Sequence, residues 1–231
     1  MTRLAVIGDI HTAWGRLDKV LDRVRMARVD GILLVGDLAC AGRQGRRTPA
    51  HLEGYARDVK AVLARVRQVG PPVLWVPGNH DLPLMDGHGL IDGRLRRLGD
   101  LRIFGIGGAP ISAHNFAYEW PDDDPPYKKV PTCDVLLCHC PPANTPLDRV
   151  PRVDRNVGSR WIRRLAESHR GVLVCGHIHE SPGFVRIKDC LCLNVGGIGN
   201  PFGRAQLGFV EGPDQLVYED LENAVTQHWT R

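Results

Sequence analysis

The chain has 231 residues, 43% hydrophobic and 24% charged, with 30 Lys+Arg against 26 Asp+Glu and a formal charge of +4. These values suit an ordinary globular chain and exclude collagen-like order, coiled coil, broad disorder and a histone-like polybasic protein. No apolar run approaches the roughly 20 residues of a membrane span. The opening apolar stretch is too short for a secretory signal, so a cytoplasmic protein of one domain, residues 1–231, is expected.

Residues 4–7 form an apolar run ending in Gly8-Asp9, the pattern of a buried strand. Leu17, Val20, Leu21, Val24 and Ala27 then recur at helical spacing, and a second run, 32–35, ends in Gly36-Asp37. Leu52, Tyr55, Ala56, Val59, Leu63 and Val66 mark an amphipathic helix, with Pro49 near its start and Gly70 beyond its end. Residues 73–76 give a third strand. This alternation predicts parallel pairing through right-handed crossovers. Residues 101–106, 135–138, 172–175 and 190–195 also read as strands. Ile162, Leu165, Ala166 and His169 mark a helix before the third of these. Residues 206–210 and 215–218 flank Glu211-Gly212-Pro213-Asp214 as a hairpin. Residues 109–132 are a long irregular stretch, which in a compact domain is usually functional or mobile.

The strand ends share a chemistry. Asp9-Ile10-His11 follows the first strand, Gly36-Asp37 the second and Gly78-Asn79-His80-Asp81 the third. His139 follows residues 135–138, and Gly176-His177-Ile178-His179 follows 172–175. In sheets wound this way, ligands collect at the carboxyl edge of the strands. Residues i and i+2 of an extended segment point to one side, so Asp9 with His11, and His177 with His179, can each face one ion. Two Asp, one Asn amide oxygen and four His suit Mn, Fe, Co, Ni or Zn better than Ca or Mg.

These five blocks, in this order, resemble those of the calcineurin-like metallophosphoesterases: Asp-x-His, Gly-Asp, Gly-Asn-His-Asp/Glu, a single His and Gly-His-x-His. Pro141-Pro142, Leu147-Asp148, Val157-Gly158-Ser159 and the segment from Gly176 to Ser181 are similar to a small prokaryotic subgroup of stand-alone phosphoesterases. The resemblance implies an α/β fold, a four-layer α/β/β/α sandwich of two mixed sheets with a dinuclear metal site at the strand C-terminal edge. It implies that Asp9, His11, Asp37 and His179 hold one divalent ion and Asp37, Asn79, His139 and His177 a second, with Mn favoured. It further implies that a hydroxide bridging the ions attacks phosphorus. His80 is then the general acid, and Asp81 either orients it or is a surface residue of the turn.

The charge is unevenly distributed. Between His139 and His177 lie seven arginines and three acids, whereas residues 205–231 hold five acids and one Arg. Arg149, Arg152 and Arg155 are the substrate candidates, because guanidinium forks suit phosphate. A small phosphodiester or nucleotide is the favoured partner, and a membrane or extended nucleic acid is not. A non-catalytic protein-interaction scaffold is the alternative. The seven cysteines read as buried apolar filler, with zinc at Cys138/Cys140 or Cys190/Cys192 as a lesser reading.

Overall fold

In a computed structural model of the chain, residues 1–45, 47–83 and 87–230 are described; Arg231, which closes the acidic tail, lies outside them. The first half runs β1 (Arg3–Ile7), α1 (Trp14–Ala27), β2 (Gly31–Leu34), α2 (Pro49–Arg67) and β3 (Val73–Trp75). There follow β4 (Leu95–Leu98), β5 (Leu101–Ile106), β6 (Ala109–Pro110), β7 (Glu119–Trp120) and β8 (Val135–Cys138). Next come β9 (Arg149–Val150), β10 (Arg155–Asn156), α3 (Arg160–Ser168) and β11 (Gly171–Cys175). The chain closes with β12 (Gly183–Ile187), β13 (Cys190–Asn194), β14 (Gln206–Glu211), β15 (Gln215–Asp220) and β16 (Val225–Thr230).

Two six-stranded mixed sheets carry the fold, ordered β16-β15-β14-β1-β2-β3 and β12-β13-β11-β8-β5-β4. As the alternation predicts, β1, β2 and β3 pair in parallel. The centre of the second sheet, β13-β11-β8-β5, is parallel too. Side chains of a strand alternate between faces, and β1 serves two cores in this way. Ala5 and Ile7 pack with Leu17, Val20, Tyr55 and Val59 beneath α1 and α2. Leu4 and Val6 meet Val135, Leu137, Val172 and Val174 between the sheets. A third cluster sets Trp161, Ile162 and Ala166 of α3 against Phe104, Leu136 and Leu173. The layers are therefore α/β/β/α.

Helix starts obey local chemistry. Pro49 occupies the first turn of α2, and the Thr48 hydroxyl accepts the His51 N–H at 3.3 Å. Ser159 caps α3, and Asp122 accepts from the Ser159 hydroxyl at 2.5 Å and the Arg160 N–H at 3.0 Å, a carboxylate at the positive end of the helix. Asp122 belongs to the irregular stretch 109–132, which the structure pins elsewhere as well. The Tyr118 hydroxyl donates to Asp92 at 2.8 Å and the Trp120 indole to the Gly107 carbonyl at 3.0 Å. Three edge strands, β4, β12 and β16, are absent from the sequence reading. Their side chains are mostly exposed or half-buried, so they carry no clear apolar alternation.

Candidate metal centre

The first, second and third strands, together with β8 and β11, all release their chains at one edge. Tight backbone ties hold these exits together: Asp9 N–H to the Gly36 carbonyl at 3.2 Å, His11 N–H to Asp37 at 2.9 Å and Gly176 N–H to His139 at 3.0 Å. Asp9, His11, Asp37 and His177 all take left-handed backbone, with φ of 46°, 43°, 51° and 68°. Non-glycine residues rarely adopt that region, and such strain concentrates at functional sites. Glycine permits the close approach: a Cβ on Gly78 would strike the Asp37 carboxylate, and one on Gly176 the Asp9 carboxylate.

Asp9, His11, Asp37 and His179 place one ligand atom each within 4.8 Å of one another. Asp37 Oδ2 lies 3.4 Å from His11 Nε2 and 3.7 Å from His139 Nε2, so this oxygen faces both halves of the centre. In the second half, Asn79 Oδ1 lies 2.9 Å from His139 Nε2 and 3.0 Å from His177 Nδ1. His139 Nδ1 donates to the Val35 carbonyl at 2.8 Å, which fixes the proton there and leaves Nε2 with its lone pair. That lone pair points at the lone pairs of Asn79 Oδ1 and Asp37 Oδ2. Such an arrangement is stabilised by a cation.

Two further observations fit a cation. Asp9 is fully buried, and its Oδ1 has the His179 Nε2 at 3.3 Å but no aligned hydrogen bond, a costly state for a carboxylate oxygen. Burial, with the charges of Asp9 and Asp81, drives the Asp37 carboxyl well above its usual range. A divalent ion reverses that preference. Burial also lowers the imidazoles of His11 to about 3 and His139 to about 4, and pushes His177 down, leaving them neutral as metal ligands require. Asp9 is held low: burial opposes this, and the attraction of the neighbouring His179 imidazole outweighs burial.

His80 sits at the rim, half-buried. Its backbone N–H donates to Asp37 Oδ1 at 2.8 Å. Its ring lies 4.0 Å from that of Phe116 and 5.1 Å, edge-on, from that of His11. Nδ1 faces the Cys40 thiol at 3.3 Å, leaving Nε2 as the other ring nitrogen. Asp81 corrects the sequence reading. It is fully buried rather than a surface residue. Its carboxylate accepts from the Gly78 N–H at 2.9 Å, Leu38 at 3.2 Å, Ala39 at 3.4 Å and the Tyr55 hydroxyl at 3.2 Å. Among the described residues, the His80 imidazole is not one of its partners. Asp81 braces the two loops that carry Asp37 and Asn79.

The arginine candidates are not drawn into the cluster. Arg149 pairs with Asp154 at 2.5 Å, Arg152 lies over the Phe202 ring at 5.3 Å and Arg155 is exposed. Six of the seven cysteines are buried and all are free. The metal-ligating cluster found among the described residues contains no thiol, so the zinc reading gains nothing. The sequence reading missed Cys40, Phe116 and the segment Gly196-Gly197-Ile198-Gly199. A Cβ on Gly197 would strike His179 and one on Gly199 would strike His11. The signal was available there, in three glycines directly after an apolar strand.

Known proteins share this architecture. A family model described as calcineurin-like phosphoesterase matches residues 2–181. No curated protein matches the sequence. The fold is similar to TT1561 of Thermus thermophilus, at 14% identity and TM-score 0.63, covering 99% of this chain and 98% of that one. It is similar to a dimetal phosphatase from Danio rerio, at 12% identity and TM-score 0.65, with the same coverage of 99% and 98%. GAP50, the anchor in the inner membrane complex of Plasmodium, aligns at 12% identity and TM-score 0.56 over 99% of this chain and 88% of its own. At these identities the likeness is one of fold.

Proposed function

We propose a specific activity for this chain, which belongs to the calcineurin-like phosphoesterase family: hydrolysis of a phosphodiester or nucleotide by a dinuclear centre. The observation that carries the proposal is the convergence of Asp, Asn and His side chains on one edge, their acceptor atoms turned toward one another. The family uses dinuclear divalent sites. Here Asp9, His11, Asp37 and His179 would hold one ion, and Asp37, Asn79, His139 and His177 the other, Asp37 serving both. Two divalent ions bound there supply Lewis-acid polarisation of the phosphoryl oxygens and a nucleophile at neutral pH. Imidazole and carboxylate donors favour Mn or a neighbouring transition metal.

His80 supplies the proton that the leaving oxygen needs. Cys40 and Phe116 hold the ring at the rim, so Nε2 is the nitrogen free to donate. Asp81 acts through the backbone, fixing the loops on either side. The protein works as a single cytoplasmic domain in this reading; among the described residues, no helix is long and apolar enough to cross a membrane. The likeness to GAP50 motivates the alternative, a protein-interaction scaffold. A scaffold has no use for buried donors held in left-handed backbone.

The test is a phosphoester panel with Mn²⁺ and other divalent ions. It comprises bis(p-nitrophenyl) phosphate, 2′,3′- and 3′,5′-cyclic nucleotides, linear dinucleotides and monoesters. Hydrolysis of a diester, abolished by chelation, is expected. His80→Ala should keep its metal and lose roughly 10²–10⁴-fold in rate on alkoxide leaving groups, less on p-nitrophenolate. Loss of metal in that variant rejects the assignment of His80, and a panel with no turnover favours the scaffold.

A further inference from the structure

Among the described residues, three arginines have a buried guanidinium nitrogen without a hydrogen bond: Arg3, Arg47 and Arg204. Arg3 faces Glu211 at 2.9 Å and Arg204 faces Asp220 at 3.1 Å. Arg47 has two such nitrogens, Nε and one Nη, and no carboxylate pairs with it among the described residues. Its loop is basic in sequence: between Asp37 and Glu53 there are three arginines, 43, 46 and 47, and no acid.

Arg47 lines a cavity of about 520 Å³ together with Gln44, Gly45, Leu82, Pro83 and Ala117. Among the described residues, no acidic side chain lines it. Two of its walls are near chain neighbours of residues at the His80 rim. Leu82 stands two residues beyond His80. Ala117 follows Phe116, whose ring covers that of His80 at 4.0 Å. The loops on either side are stitched together: the Gln44 N–H donates to Asn115 O at 2.9 Å, its amide to Phe116 O at 3.0 Å, and the Ala41 N–H to His80 O at 2.8 Å. The cavity is thus built from the segments that hold the proposed proton donor.

We propose that this cavity is a subsite for a second phosphate, carried by the leaving group of the substrate and held by Arg47. The inference rests on the phosphoesterase reading of the metal centre. Desolvated guanidinium N–H groups are costly when unpaired, and a phosphate offers the oxygens they lack in matching fork geometry. Ala117 is buried and Leu82 half-buried, so on that side the guanidinium faces little solvent, which strengthens the attraction. The arginines of residues 149–170 offer less, because most are already paired. The substrate class becomes a phosphodiester whose departing alcohol bears a further phosphate, as in a terminally phosphorylated nucleotide fragment.

The test compares dithymidine monophosphate with its 5′-phosphorylated and 3′-phosphorylated forms, on Mn-loaded wild type, Arg47→Gln and Arg47→Lys. Wild type should favour one phosphorylated form by about tenfold or more in kcat/KM, the scale of a charge-assisted contact. Arg47→Gln should erase that preference and leave the unphosphorylated dinucleotide unchanged; Arg47→Lys should keep part of it. Equal treatment of all three forms by wild type, or a preference that survives Arg47→Gln, overturns the subsite. Bis(p-nitrophenyl) phosphate turnover follows the underlying reading separately. If that turnover is absent, calorimetric affinities of the same three compounds for wild type and Arg47→Gln still decide the subsite.

Discussion

At the strand ends, side chains from five separated segments converge, and they keep unsatisfied capacity: the lone pairs of His139, Asn79 and Asp37 are turned toward one another. Along residues 149–170 the opposite holds. Arg149, Arg160, Arg163 and Arg170 pair with Asp154, Asp122, Glu167 and Asp189, and Arg152 lies over Phe202. Both regions are rich in chemistry-bearing residues. The difference lies in whether folding leaves those residues a partner. A locally satisfied charge has little left to offer a ligand, whereas a long-range cluster with opposed lone pairs requires one.

The sharpest way to break this comparison is to remove the oxygen shared by both halves. Asp37→Asn should abolish metal binding at the centre and lower turnover by at least about a thousandfold, read by metal analysis and diester hydrolysis. Retained metal and turnover would mean that the cluster is structural.

Acid should expose the same region in the metal-free protein. His11, His139 and His177 are held neutral by burial, with His11 at about 3 and His139 at about 4. In the unfolded chain they titrate near 6.5. Between these values the unfolded state binds more protons, so stability is fully present above pH ~6.5 and drains as pH falls toward 4. The carboxyls of Asp37, Asp81 and Asp92, raised by burial, oppose this in the lower part of the window and reduce its size, and His179, raised by Asp9 against the effect of burial, acts only at the upper edge. Thermal unfolding at pH 7 and 4.5 reads this; an unchanged midpoint contradicts it.

The smallest effect belongs to the arginine stretch. Arg149→Ala and Arg155→Ala should change kcat/KM by less than about twofold and stability by no more than ~0.5 kcal/mol, as exposed pairs do. A large rise in KM for either would return phosphate binding to that stretch.

The parallel strands and both long helices were legible because each buries a face with a fixed period, and periodicity is local. So was the strand-end position of the seven candidates, since each follows a strand-like run. The edge strands β4, β12 and β16 were not, because few of their side chains are buried. The burial of Asp81 was not legible because its partners Leu38, Ala39 and Tyr55 lie 26 to 43 residues away. Arg47 was passed over for a similar reason: its sequence neighbours do not reveal that Leu82 and Ala117 wall it in.

By itself, then, the sequence determined the strand–helix order, the strand-end Asp, Asn and His residues and the family likeness, all written in short-range pattern and spacing. Tertiary structure decided which oxygen faces both halves of the cluster, which carboxylate braces the backbone and, among the described residues, which half-buried guanidinium has no carboxylate beside it. Those outcomes depend on burial and on contacts between distant segments, and desolvation acts on a side chain only once the fold has removed its water.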